Sequence, residues 1–145
     1  MTDSPTIHAS AVLIGAKAVL IRGPAGSGKS RLVWNLLQLA MQGALPFARL
    51  VADDRATMEA QAGRLLVRPA PQLAGLLEIH GLGIRRLAFE PVAAVALVVD
   101  LAAADAIRHP DPEAAMTVIA GVTLPRLAVA ADMAALPSAD LLQRA

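Results

Sequence analysis

Gly23-Pro24-Ala25-Gly26-Ser27-Gly28-Lys29-Ser30 is a glycine, four free positions, then Gly-Lys-Ser. That is the spacing of a loop built to cradle phosphate groups. Glycines allow successive backbone N–H groups to turn inward as an anion nest, where a Cβ would stand in the way. Lys29 can reach β- and γ-phosphates, and the Ser30 hydroxyl is placed to hold Mg²⁺. A chance glycine turn capping a helix is the plain alternative, so context decides. The apolar run Ala18-Val19-Leu20-Ile21 leads in, and a helical pattern from Leu32 through Leu36 and Leu37 to Leu39 leads out. Strand, loop and helix in that order are the setting the motif demands, and they make the fold class α/β.

Upstream, Thr6 to Ile14 reads as a strand that turns at Gly15-Ala16-Lys17 and pairs with Ala18 to Arg22. Such a hairpin brings His8 beside Pro24, next to the loop. Downstream, the helix from about Ser30 to Gln42 stops at Gly43. The strand Ala48-Arg49-Leu50-Val51-Ala52 then runs into Asp53-Asp54. Strand, helix, strand forms a βαβ unit with parallel strands. In an open α/β sheet ligands bind at the carboxyl ends of such strands, so loop and acids should share one crevice. Successive strand residues point to opposite faces, so only one of Asp53 and Asp54 need face the reacting phosphate.

At 145 residues the chain reads as a single domain over 1–145, large enough for a substantial core. Its hydrophobic content of 56% comes from alanine and branched aliphatics, with two Phe, one Trp and no Tyr. There is little to stack on a base, and a net charge of +1 with no aromatic-interleaved basic patch argues against nucleic acid. Absence of cysteine excludes disulfides and thiolate metal sites. Met1 to Ser10 carries no export signal, and the apolar run Val92 to Val99 is too short to span a bilayer. A cytoplasmic protein with no membrane partner is expected.

Ala56 to Gln61 and Leu65 to Arg68 read as a second hairpin, ended by Pro69 and Pro71. Gln72 to Leu77 is ambiguous, and His80-Gly81-Leu82-Gly83 reads as a tight turn before a strand. Val92 to Val99, closed by Asp100, reads as a strand buried on both faces. Asp100 competes with Asp53 for the metal side of the site, since each follows an apolar strand. Val118 to Val129 reads as one or two strands interrupted by Pro125, and Ala139 to Arg144 as a short helix capped by Ser138.

Missing elements narrow the class. No lysine follows an asparagine, so the Asn-Lys-x-Asp element that selects guanine is absent, as is the Leu-Ser-Gly-Gly-Gln stretch of transporter ATPases. A compact phosphotransferase remains. His8-Ala9-Ser10, the loop Gly23–Ser30, Leu50-Val51-Ala52-Asp53-Asp54-Arg55 and Leu77-Glu78-Ile79-His80-Gly81-Leu82-Gly83-Ile84 occur in that order. Together they resemble the catalytic domain of HPr kinase/phosphorylase, which phosphorylates and dephosphorylates a serine of a small phosphocarrier protein. The resemblance is strongest over residues 7–99 and leaves the family's N-terminal domain without a counterpart. It implies a P-loop core related to phosphoenolpyruvate carboxykinase, a mixed sheet with helices, and a homohexamer. ATP or pyrophosphate would be the donor, with Mg²⁺ as cofactor and an HPr-like carrier as partner. Carried over by position, Lys29 would bind phosphate, Ser30 and Glu78 would hold the metal, and Asp53 would be the general base supported by Asp54 and His8.

The departures are as specific. His80 stands where the family motif has arginine, in the element tied to dephosphorylation, so a fixed positive charge is lost. Arg85 and Arg86 are nearby alternatives. The Pro-Gly-Arg-Asn stretch is absent, and the match runs out at Leu124-Pro125-Arg126-Leu127. For the arginine of the family's mobile loop, Arg108 is the nearest candidate. Kinase activity is therefore expected over phosphorylase activity. A small-metabolite kinase and a non-catalytic nucleotide-binding regulator are the alternatives from other classes.

Overall fold

The structure, a computed structural model, describes residues 6–104 and 115–130. Eleven strands and one α-helix occur among these residues. The first strands are β1 (Thr6–Ile7), β2 (Ala9–Ile14) and β3 (Lys17–Arg22). The helix α1 (Lys29–Met41) and strand β4 (Ala48–Ala52) follow. Next come β5 (Ala56–Gln61), β6 (Arg64–Pro69), β7 (Leu76–Ile79) and β8 (Gly83–Arg86). The long β9 (Ala93–Leu101), β10 (Met116–Ile119) and β11 (Val122–Val129) complete the set. Nine strands form one mixed sheet in the order β1-β5-β6-β9-β3-β2-β4, with β11 also on β9 and β10 on β11, while β7 and β8 pair separately.

The sheet is buried on both faces, which period-two alternation in its strands makes possible. Val12, Ile14, Val19, Ile21, Leu97 and Val99 face α1 and meet its apolar stripe of Leu32, Val33 and Leu36. Ala9, Ala11, Ala18, Leu20, Val95 and Val98 point the other way, against Met58, Leu65 and Val67 of the β5–β6 hairpin. The small side chains on that second face let the sheet curl tightly over itself. This is how a chain poor in aromatics fills two cores.

The strand expected over Thr6 to Ile14 is broken at His8. Thr6–Ile7 pairs with β5, and Ala9–Ile14 pairs with β3 and β4, so the chain changes partners at that residue. The β3–α1–β4 unit also differs from the simplest form. β3 and β4 do run parallel, but β2 lies between them, antiparallel to both. Short hairpin connections place β2 beside β3 first, leaving the helix crossover to reach the next free edge. Gly43, with φ of 82°, ends α1 in a left-handed cap. Its N–H donates to the Ala40 carbonyl and that of Ala44 to the Leu39 carbonyl, the two bonds of a Schellman motif.

Pro125 does not interrupt β11. Residues Val122–Pro125 pair with β10 and Arg126–Val129 with β9, so the proline, lacking an N–H, sits at the changeover between partners. Asp100 likewise lies within β9, which runs on to Leu101. The helix expected at Ala139 to Arg144, and Arg108, lie outside the described residues.

Candidate active site

Four strands, β3, β4, β9 and β11, end at one edge of the sheet, and the antiparallel β2 begins there. The phosphate loop leaves β3 at this edge. Gly26 and Gly28 take φ of 81° and 101°, values that only glycine adopts freely. At Gly23 the constraint is space, since a Cβ would lie 2.5 Å from Ser27 Oγ and 3.2 Å from Leu101. Gly28 is the N-cap of α1 with no side chain capping it and no acid in the first turn. The positive end of the helix is thus directed at the loop, as in an anion site.

Lys29 is only 7% exposed, and its Nζ donates to the carbonyls of Gly23 at 2.8 Å and Pro24 at 3.2 Å. Burial pulls its pKa below the usual lysine value, while the negative charges of Asp54 and Asp53 work in the other direction. Nearby anions thus favour the charged form that phosphate binding needs.

Asp53 and Asp54 diverge. Asp53 is 5% exposed and turns inward, accepting hydrogen bonds from Ser30 Oγ at 2.6 Å, Ser10 Oγ at 2.7 Å and the Glu78 N–H at 3.1 Å. It ties the loop helix, β2 and β7 together. Asp54 turns outward, with a left-handed φ of 71° and the Arg55 N–H donating across it to the Asp53 carbonyl at 2.8 Å. That i to i+2 bond marks a γ-turn, an uncommon conformation for a non-glycine residue. Its side chain remains 59% exposed and meets His8 Nε2 at 2.5 Å. Ser10 joins the two acids, because its oxygen accepts from the Asp54 N–H at 3.2 Å while donating to Asp53.

These groups line one crevice of about 660 Å³. Its walls include Ala25, Gly26, Gly28, Lys29 and Ser30 from the loop, His8, Asp53 and Asp54 from the sheet edge, and Glu78 and His80 from β7 and its turn. Gly23, Pro24 and Ser27 form the back of the loop instead. Ser10, fully buried, was named in the sequence only within His8-Ala9-Ser10 and given no role, and Arg31, whose Nη2 donates to the His80 carbonyl at 3.2 Å, was not singled out. Ser10 follows His8 by two positions, so strand alternation was the available signal. No local pattern joins Arg31 to residue 80.

Asp100 is removed from the competition for the metal. Arg22 holds it by Nε at 2.7 Å and Nη2 at 2.8 Å, and Arg126 Nε approaches at 2.5 Å. Burial opposes the carboxylate, but these bonds outweigh it and hold its pKa below the usual value. Arg85 and Arg86 sit on the exposed strand β8 and are absent from the crevice lining.

No cluster of three or more His, Cys, Asp or Glu fit for a metal occurs among the described residues. Mg²⁺ does not require one, as it keeps waters and takes phosphate oxygens with one or two carboxylates. The hard oxygens on hand are Ser30 Oγ and the carboxylates of Asp53 and Glu78, a fitting set. No helix among the described residues is long and apolar enough to cross a membrane.

Sheet, loop and acids together define an α/β domain in which a glycine-rich loop, a lysine and two aspartates share one crevice. Among known proteins, the chain is similar to the catalytic, C-terminal-type domain of HPr kinase/phosphorylase. It is 41% identical over 80 residues to the HPr kinase/phosphorylase of Limosilactobacillus reuteri, covering 54% of this chain and 23% of that protein. To that of Streptococcus thermophilus it is 40% identical over 85 residues, covering 58% and 25%. The solved structure of the HPr(Ser) kinase/phosphatase from Coxiella burnetii superposes with a TM-score of 0.69 at 26% identity, covering 86% of this chain and 84% of that one. The matched segment is about a quarter of the curated relatives' length. No family model matches the chain.

Proposed function

We propose that this chain transfers the terminal phosphoryl group of ATP to a serine hydroxyl of an HPr-like phosphocarrier protein. Support comes above all from one observation, the gathering of Lys29, Ser30, Asp53, Asp54, His8 and Glu78 around one crevice. Loop amides and Lys29 would hold the donor phosphates, with pyrophosphate as an alternative donor. Mg²⁺ would sit against Ser30 and Glu78, neutralising charge on the phosphates when bound. Transfer asks the protein mainly for positioning and charge balance.

In this reading the two aspartates divide the work assigned to Asp53 from the sequence. Asp53, buried and already accepting three hydrogen bonds, holds Ser30 in place. Asp54, exposed and steadied by His8, is the proton acceptor. As the serine oxygen bonds to the γ-phosphorus and the bond to the departing ADP oxygen breaks, the serine proton passes to the Asp54 carboxylate. In reverse, protonated Asp54 returns the proton to the serine oxygen while inorganic phosphate takes the phosphoryl group, forming pyrophosphate. We propose that this reverse reaction is the weaker, because His80 replaces an arginine. A cytoplasmic homohexamer is the assembly proposed by resemblance.

Incubation with γ-labelled ATP, Mg²⁺ and a purified HPr-like carrier tests the proposal. Label on a carrier serine is expected. ATP binding with no label transferred would mark a nucleotide-binding regulator, and turnover stimulated by a metabolite alone would mark a small-molecule kinase.

A further inference from the structure

The β7–β8 hairpin does two things at once. Its inner face is fixed to the body by Leu77 and Ile79, both buried in the cluster under α1. Its other face is set by the register, in which Glu78 lies opposite Ile84 and Leu76 opposite Arg86. Paired residues share a face, so Leu76, Glu78, Ile84 and Arg86 form one surface. Leu76, Glu78 and Ile84 all line the active-site crevice, together with Leu73. All four residues of β8 are exposed, and Ile84 and Leu82 keep 63% and 43% of their surface in solvent.

A donor phosphate and a metal need charge and hydrogen bonds, and Ile84 offers neither. It stands directly across from Glu78, with a Cβ separation of about 5 Å for such a pair. Whatever covers Ile84 is therefore brought against the residues of the crevice. Arg86 lies on this face and Arg31 and Lys29 line the crevice beside it, while Glu78 is the acid on the face, turned to the side proposed for the metal. A small, highly charged acceptor would leave the aliphatic surface wet, whereas a protein surface with an apolar centre and an acidic rim would cover it and match its charge.

We infer that the outer face of the β7–β8 hairpin, centred on Ile84 and Arg86 with Leu82 exposed in the adjoining turn, docks the protein acceptor through an apolar patch bordered by acidic groups beside its serine. This rests on the protein-kinase reading above. The hairpin then couples recognition to chemistry, since one strand carries Glu78 and the other the docking residues.

Steady-state phosphorylation of the carrier by wild type, L82S/I84S and R86Q, with Mg-ATP affinity measured alongside, tests this. The double variant should raise KM for the carrier about tenfold or more while kcat and the Kd for Mg-ATP stay near wild type. R86Q should raise that KM less at low salt and flatten its rise with ionic strength, because the charge being screened is gone. If wild type labels the carrier and both variants keep its KM, the docking face is wrong and the kinase reading stands. If L82S/I84S instead loses Mg-ATP affinity, the face serves the nucleotide and the inference fails. If wild type labels no carrier, the kinase reading falls and the docking face with it.

Discussion

Asp53 and Asp54 are adjacent in sequence, yet one backbone angle separates their chemistry. A left-handed φ of 71° at Asp54 turns its carboxylate out toward His8, while Asp53 stays in line with β4 and is buried under three donors. Alternation along a strand showed that the two acids diverge. It did not show which one faces in, because that depends on Ser10 and the Glu78 N–H, contributed by other strands. Gly23 illustrates a residue whose need is steric. In G23A the new methyl would stand 2.5 Å from Ser27 Oγ and press on Leu101. The loop must then open, and ATP affinity by calorimetry should fall at least tenfold with the fold retained by circular dichroism. Affinity at the wild-type level would show that the loop tolerates the crowding.

The strands β3, β9 and β11 are joined by a clasp of two arginines on one acid. Arg22 immediately precedes the phosphate loop, so the clasp fixes the base from which the loop springs. D100N would leave two guanidinium groups facing a neutral amide. The loss should be about 1–3 kcal/mol near neutral pH, the scale for charged hydrogen bonds in a partly buried pair. Because the folded state holds the Asp100 pKa below its usual 3.8, the carboxylate's contribution is complete above that value. It is lost as pH falls through the lower, folded value. Urea titrations should therefore show a constant gap between wild type and D100N near neutrality that closes in acid. A gap unchanged down to pH 2, or none at pH 7, would contradict this. The sequence could suggest Asp100 as a metal-side acid because it ends an apolar run. Only the parallel pairing of β11 with β9 brings Arg126 to it, and that pairing joins segments with no local signal between them.

Across the molecule, the α/β class, the loop–helix junction and the second hairpin were legible, because glycine conformations, caps and apolar alternation are local. Burial of the Val92–Val99 strand on both faces was legible too, but the insertion of β2 between β3 and β4 and the switch of partners at His8 were not, since each depends on which distant strand takes an open edge. The crevice is a product of that global arrangement. Four carboxyl strand ends and the start of β2 meet at a single rim, which is why His8 and Ser10, far upstream in sequence, sit with Asp53 and Asp54. The residues proposed to hold ion and phosphate and to accept the proton come from separate elements held in one body.

The central claim is that Asp54 takes the serine proton at a site that binds nucleotide independently of it. Single-turnover transfer from pre-bound, γ-labelled Mg-ATP to the carrier, compared between wild type and D54N, tests this most directly. D54N should bind Mg-ATP within about threefold of wild type and transfer label at least a hundredfold more slowly, the span general-base catalysis commonly supplies. Transfer by D54N at the wild-type rate, with nucleotide bound, would contradict the account.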